Sequence, residues 1–355
     1  MLSARTRALL LLSAGATVAM LVLQVAMVNV MTVAYAGPEA AVAAVGEQLR
    51  QKRERVFEPM LRAPSAALPV VLMHGMGDAA GNTGMLHIRD LVAKQLNTYA
   101  VNIQIGDSVS EDIKNSFLVT MDAQLEIFAK RVQEDPRLAE GFNAVGFSQG
   151  NLLIRGYIQR HNNPPVSNFV SFHGPLAGVG ALPQCRPTQF ICKEINKLIG
   201  DAVYSDQIQA HLAQSNYFRD PMKIKEYMAH AKFLPDLNNE KQPANATYRD
   251  NFITLANLVL VRAESDTQVF PKESEWFGAY TDGDAYKSVL GFNETAWYKA
   301  DSFGLQTLDR AGKVHFLSTP GNHLQFTNAF FLDVVQKFFA PPPLVSLGGG
   351  GAFSP

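Results

Sequence analysis

The chain predicts an α/β fold with a mostly parallel central sheet and helices on both faces. Three observations carry this. Short, continuous apolar runs such as Val70-Val71-Leu72-Met73 lack polar alternation, which suits strands buried on both sides. Segments of helical spacing separate these runs, so a strand–helix–strand rhythm holds from residue 70 to 172. One strand-like run, with Phe142, Ala144 and Val145, passes through Gly146-Phe147-Ser148-Gln149-Gly150 straight into a helix-like segment. That is a strand–turn–helix around a serine.

Taken in order, Val70–Met73 reads as a buried strand and the following His74-Gly75-Met76-Gly77-Asp78 as its loop. Ile88–Leu96 has helical spacing, Ala100–Ile105 alternates like a strand, and Met121–Val132 is helical through Leu125, Ile127 and Phe128. Ala144–Phe147 is a strand, a helix follows Ser148 to about Arg160, and Val166–Phe172 is the next strand. The rhythm stops near Gly174. Residues 175 to about 250 hold six prolines among short amphipathic stretches and read as an insertion folded over the sheet edge. Strands resume at Leu255–Val261 and Val314–Leu317, and a last helix covers Thr327–Phe339. Pro341-Pro342-Pro343 breaks it, and the Gly-rich tail, 341–355, is expected to be disordered.

The 355 residues suffice for one large domain, here 67–340 with its insertion at 175–250. A net charge of −1 gives no reason to expect nucleic acid as a partner. Residues 1–36 differ from the rest. Arg5 and Arg7 precede an uncharged apolar run that ends in Ala34-Tyr35-Ala36, a small-x-small cleavage pattern. The run is long enough for a bilayer, so the segment reads as a signal peptide or a signal anchor, which leaves membrane association open. Residues 37–66 read as a linker. Either way the remainder faces the secretory lumen or the exterior. Cys185 and Cys192 suit a local disulfide in that setting. Asn245-Ala246-Thr247 and Asn293-Glu294-Thr295 are glycosylation sequons usable only there.

A serine hydroxyl becomes a useful nucleophile only with a base to take its proton and an acid to orient the base. In the α/β-hydrolase arrangement these follow in the order Ser, Asp/Glu, His. Ser148 is the candidate nucleophile. Of the late histidines, His315 falls inside a strand, whereas His323 lies in the loop Thr319-Pro320-Gly321-Asn322-His323 before the last helix, so His323 is the candidate base. Asp266, in the loop after the strand ending at Val261, is the candidate acid. Glu264 is its chief competitor, with Glu273 and Glu275 further out. The oxyanion donors in such a fold are the N–H after the nucleophile, here Gln149, and one from the loop after an early strand, here Met76. His74 reads as structural. Nothing in the pattern calls for a metal or cofactor.

These strings together resemble the palmitoyl-protein thioesterase family. His74-Gly-Met-Gly-Asp78, Gly141-Phe-Asn-Ala144, Gly146-Phe-Ser-Gln-Gly150, Ser274-Glu-Trp-Phe-Gly278 and Asn322-His-Leu-Gln325 carry the likeness. Glu111-Asp112, Asn115-Ser-Phe117, Gly178-Val179 and Leu182-Pro183 support it. It covers roughly residues 68 to 340. The resemblance implies the nucleophile at Ser148, the acid at Asp266, eight residues before Ser274, and the base at His323. It implies oxyanion donors at Met76 and Gln149, a disulfide Cys185–Cys192, and a glycan at Asn245. The chain departs from the family pattern at Asn151, where a second glycine is common, and in His173-Gly-Pro-Leu-Ala177.

The resulting expectation is a lysosomal or lumenal serine thioesterase that frees long fatty acyl groups from S-acylated cysteines of proteins or peptides. The insertion would form a lipid-binding cap, with Trp276-Phe277 lining the acyl groove. The same residues would serve an oxyester hydrolase or lipase, and the same fold could be a non-catalytic lipid binder.

Overall fold

The computed structural model describes residues 67–181, 202–284 and 286–341. The N-terminal segment, the linker, Cys185, Cys192 and nearly all of the tail lie outside them. In chain order the first half holds β1 (Val70–Met73), α1 (Thr83–Leu96), β2 (Ala100–Asn102), α2 (Val109–Leu118), α3 (Met121–Glu134), β3 (Phe142–Phe147), α4 (Gly150–Arg160) and β4 (Val166–Phe172). The inserted region follows with α5 (Asp206–His211), α6 (Ile224–His230), α7 (Leu234–Leu237) and α8 (Ala246–Phe252). The chain then returns through β5 (Asn257–Ala263). A second excursion contains β6 (Ala279–Tyr280), β7 (Val289–Leu290), α9 (Ala296–Lys299) and α10 (Leu305–Arg310). It closes with β8 (Val314–Thr319) and α11 (Asn328–Phe339).

Six strands form one sheet in the order β2-β1-β3-β4-β5-β8, every neighbouring pair parallel. This is the expected α/β-hydrolase-type layering. The inner strands β1, β3, β4 and β5 carry apolar side chains on both faces because both are covered, whereas β8, at the sheet edge, is largely uncovered. Val71, Phe142, Ala144, Phe169, Leu258 and Leu260 pack with α3 and α4. Val70, Val145, Phe147, Phe172, Val259 and Val261 pack with α1 and α11 on the other side. Successive residues of a strand point to opposite faces, so an unbroken apolar run serves both layers.

Two parts of the fold went unread in the sequence. Helix α2 buries Asp112 and Ser116 rather than an apolar stripe, so it has no hydrophobic period. Its start is nevertheless encoded. Ser108 Oγ accepts the Glu111 N–H at 3.2 Å, and the Glu111 carboxylate accepts the Asp107 N–H at 2.9 Å. The excursion 264–313 was likewise given no helix or strand, although Asp266, Ser274-Glu-Trp-Phe-Gly278 and Asn293 were singled out within it.

The inserted region is anchored beside the middle of the sheet rather than along an edge strand. Asn216 Oδ1 accepts the Met121 N–H at 2.9 Å, and Arg155 of α4 donates to the carbonyls of Leu176 at 2.6 Å and Leu237 at 3.0 Å. Arg155 is fully buried, and burial lowers its guanidinium to about 9. Its charge faces carbonyl oxygens and the rings of Phe277 and Phe303. Phe277 is therefore core packing, and Trp276 lies under Arg262 against Phe316.

Candidate active site

Ser148 sits between β3 and α4 with φ of 50°, a left-handed conformation that costs a non-glycine residue about 1–3 kcal/mol. The flanking glycines make that turn possible. A Cβ on Gly146 would stand 2.4 Å from Asn151 Oδ1, and one on Gly150 would stand 2.4 Å from the carbonyl oxygens of Met73 and His74. Hydrogen bonds hold the strained residue. Its N–H donates to Phe172 O at 3.0 Å, and its carbonyl accepts from Asn151 Nδ2 at 3.0 Å. Asn151, the departure from the family's glycine, also donates to Phe172 O at 3.0 Å and so ties the elbow to β4.

The three candidate residues are brought together in one chain of contacts. His323 Nε2 lies 2.9 Å from Ser148 Oγ, and His323 Nδ1 lies 2.6 Å from Asp266 Oδ2. Asp266 is purely an acceptor, so Nδ1 carries the proton and Nε2 is left to accept from the serine. Asp266 Oδ1 takes the N–H groups of Gln268 at 2.6 Å and Val269 at 2.8 Å. Burial works against the carboxylate, but the hydrogen bond and charge of His323, with these further bonds, outweigh it and hold it at about 2.

The loops carrying acid and base are stitched to each other. Asn322 Oδ1 accepts the Thr267 N–H at 3.0 Å, and Ser265 N–H donates to Gly321 O at 3.1 Å. Leu324, also left-handed at φ 56°, donates its N–H to His173 Nδ1 at 2.8 Å. His173 Nε2 then donates to Thr319 Oγ1 at 3.0 Å. Burial, helped by the neighbouring His323, lowers His173 to about 3, so it acts as a neutral ring.

Of the competing residues, Glu264, Glu273 and His315 are placed elsewhere. Glu264 pairs with Arg262 and Lys272. His315 bonds Asn257 Oδ1 at 2.8 Å on β8. His74 is buried and meets Asp112 Oδ1 at 3.1 Å, a structural pairing. Met76 lies in the loop after β1, and Gln149 opens α4. Among the described residues neither N–H donates to another backbone group, and a Cβ on Gly75 would stand 3.6 Å from Ser148 Oγ, which brings the Met76 loop alongside the serine. The Gln149 side chain is fixed by Ser116 O at 2.9 Å, Gln214 at 2.9 Å and Tyr217 at 3.0 Å, the last two from the insertion.

One residue that the sequence offered only as a remote competitor for the acid lies in the site itself. Glu275 is fully buried on the turn 272–276, and its Oε2 accepts the Ala263 N–H at 2.7 Å. Ligand-type atoms of Asp266, Glu275 and His323 lie within 4.8 Å of one another, the one cluster of metal-ligating types among the described residues. Both ring nitrogens of His323 are engaged, so an ion there would displace the contact to Ser148 or Asp266. The string Ser274-Glu-Trp-Phe-Gly278 carries Glu275, but as part of the family likeness and with no role of its own. Around it, Ser274 Oγ bridges Ala177 N–H and Gly178 O at the base of the insertion, and Trp276 Nε1 donates to Leu260 O at 3.0 Å.

A family model described as palmitoyl protein thioesterase matches residues 69–323, from one residue before β1 to His323 itself. The chain belongs to the palmitoyl protein thioesterase family. It is 37% identical over 281 residues to palmitoyl-protein thioesterase 1 of Caenorhabditis elegans, covering 78% of this chain and 94% of that relative. It is 37% identical over 260 residues to palmitoyl-protein thioesterase 3 of Dictyostelium discoideum, covering 73% and 86%. Among solved structures, the thioesterase domain from the curacin biosynthetic pathway aligns with a TM-score of 0.37 at 11% identity, over 77% of this chain and 92% of that one. Within this thioesterase, Asn245 and Asn293 are exposed. Among the described residues no helix is long and apolar enough to cross a membrane.

Proposed function

We propose that this chain is a serine thioesterase that hydrolyses long-chain fatty acyl thioesters, palmitoyl above all, from S-acylated cysteines of proteins or peptides. The observation that carries the reading is the Ser148–His323–Asp266 chain of contacts, at 2.9 and 2.6 Å, inside a member of this family. His323 Nε2 takes the Ser148 proton as Oγ adds to the thioester carbonyl. The Met76 and Gln149 N–H groups, with the N-terminus of α4 behind them, hold the tetrahedral oxyanion. Collapse breaks the C–S bond, and His323 returns the proton to the departing cysteine sulfur. Water then repeats the sequence on the acyl-Ser148 ester and frees the fatty acid and the enzyme. Asp266 stays ionised throughout and stabilises the imidazolium.

The cap reading of the insertion rests on Gln214 and Tyr217, which reach the oxyanion residue itself. A lumenal, lysosomal setting is supported by the N-terminal segment and by the two exposed sequons, with glycans at Asn245 and Asn293 and a disulfide Cys185–Cys192 as part of the same reading. The test is hydrolysis of a palmitoyl-cysteine peptide beside its palmitoyl-serine analogue, with the purified protein and its Ser148→Ala variant. Faster thioester cleavage that disappears in the variant is expected. Cleavage of the oxyester alone would move the enzyme to the lipases, and substantial activity in Ser148→Ala would remove the nucleophile assignment.

A further inference from the structure

We propose that Glu275 is a neutral carboxylic acid that donates a hydrogen bond to the Asp266 carboxylate, a positioning residue that holds the acid of the triad in its anionic form against His323. The proposal rests on the triad reading above and deepens it.

The argument begins with a bonding deficit. Glu275 is completely buried, and its Oε1 finds no donor among the described residues, while Oε2 is satisfied by the Ala263 N–H. A buried carboxylate oxygen without a donor is costly. Its neighbour is Asp266, also buried, with a carboxylate oxygen of each and a ring nitrogen of His323 within 4.8 Å. Two carboxylates facing each other are both acceptors. They bond only when one carries a proton, and like charges this close in a dry site do not both ionise.

The surroundings decide which one holds the proton. Asp266 receives Nδ1–H of His323 and two backbone N–H groups, all of which favour the anion. Glu275 receives one backbone N–H. The nearest cation on its side, Arg262, is committed to Glu264 and Glu273 and lies over Trp276. Lys272, on the same turn, bonds Glu264. His173, packed near Asp266, is neutral. Burial, reinforced by the hydrogen bond to and the charge of Asp266, pushes the Glu275 carboxyl up to about 11. Its proton removes the orphaned oxygen and the charge clash together.

The arrangement has a consequence for the reaction. A donor on Asp266 lowers the basicity of that carboxylate. The proton shared with Nδ1 then stays on the imidazolium when His323 becomes charged, which keeps the ring oriented toward Ser148.

The test compares Glu275→Gln and Glu275→Ala in the full chain. Glutamine reproduces both contacts, its amide oxygen accepting from Ala263 and its NH2 donating to Asp266. Expected for Glu275→Gln is kcat/KM within about threefold of wild type with an unmoved acidic limb of the pH profile, and for Glu275→Ala a loss of about tenfold or more in kcat with little change in KM. The infrared band of a protonated carboxyl should be present in wild type and absent in Glu275→Gln. An ionised Glu275 predicts the opposite. Removing its charge beside His323 would move the acidic limb down by more than about one pH unit, and no protonated-carboxyl band would be lost. Either result overturns the proposal. Should Glu275→Ala fail to fold, the glutamine profile and the infrared band decide alone. Ser148→Ala, run in parallel, tests the triad independently. If it stays active the triad reading falls, while the infrared result still decides where the proton is.

Discussion

A buried neutral glutamate makes folding take up a proton, and that is measurable without any substrate. In the unfolded chain Glu275 titrates near 4.5, whereas in the folded protein it stays protonated to about 11. The folded state therefore binds more protons over this window. The contribution is most favourable below pH 4.5 and is lost as pH rises. At pH 7 the cost relative to a residue that cannot ionise is about 1.36 × 2.5, or about 3.4 kcal/mol. At pH 5 it is about 0.8 kcal/mol by the same relation. The difference is set by the unfolded value alone so long as the folded value lies above the assay pH.

Glu275→Gln keeps the donor and the acceptor and deletes the titration. Urea unfolding of the two proteins, with reversibility verified, should show Glu275→Gln gaining about 2.6 kcal/mol on wild type between pH 5 and pH 7. In a domain of this size that is a relative Tm change of roughly 5–10 °C. Every other titrating group is common to both proteins, so the double difference isolates this site. If wild type and Glu275→Gln keep a constant stability difference across that pH range, Glu275 is not protonated in the folded state and the reasoning fails.

Three other substitutions probe the site. Asp266→Asn should leave the fold intact and lower kcat about 10⁴-fold, because an amide favours the wrong His323 tautomer; a loss under tenfold in a steady-state assay would contradict the assigned acid. His173→Leu removes the acceptor for the Leu324 N–H, and kcat should fall about tenfold with KM nearly unchanged. His173 is neutral above about pH 4, so that loss should be the same at every pH of a profile taken above it. Asn151→Gly deletes the amide that bonds Ser148 O and Phe172 O, and calorimetry should show about 1–2 kcal/mol of destabilisation, partly offset because Asn151 Oδ1 is itself buried without a partner. An unchanged Tm would mean the family's glycine serves equally well here.

What the sequence made legible, and what it did not, follows from the kind of signal each part leaves. Strand β1 writes a continuous apolar run, and β3, β4 and β5 carry enough apolar residues for both layers, so all four could be read directly. Ser148 writes its own signature because the two flanking glycines are forced by contacts as close as 2.4 Å. His323 and Asp266 were found by loop position and chain order, although they lie 57 residues apart. Helix α2 was missed because the face it buries is Asp112 and Ser116, polar side chains that bond the Met76 loop at Ala80 and Gly77. A search for apolar period passes over such a helix.

Glu275 shows the limit most clearly. In the sequence it is one of four acidic residues between 264 and 275, and nothing local separates it from Glu273, which is partly exposed and faces Arg262. What makes it different is the turn 272–276. The Ser274 hydroxyl holds that turn to the insertion, and the Trp276 indole holds it to β5. Those two anchors rotate Glu275 inward, under Asp266, and leave Glu273 outside. The acidity of Glu275 is thus a property of the packing around it. The short string Ser274-Glu-Trp-Phe-Gly278 reads as a strut whose outer residues grip the sheet and the insertion so that its second residue can carry a proton to the triad.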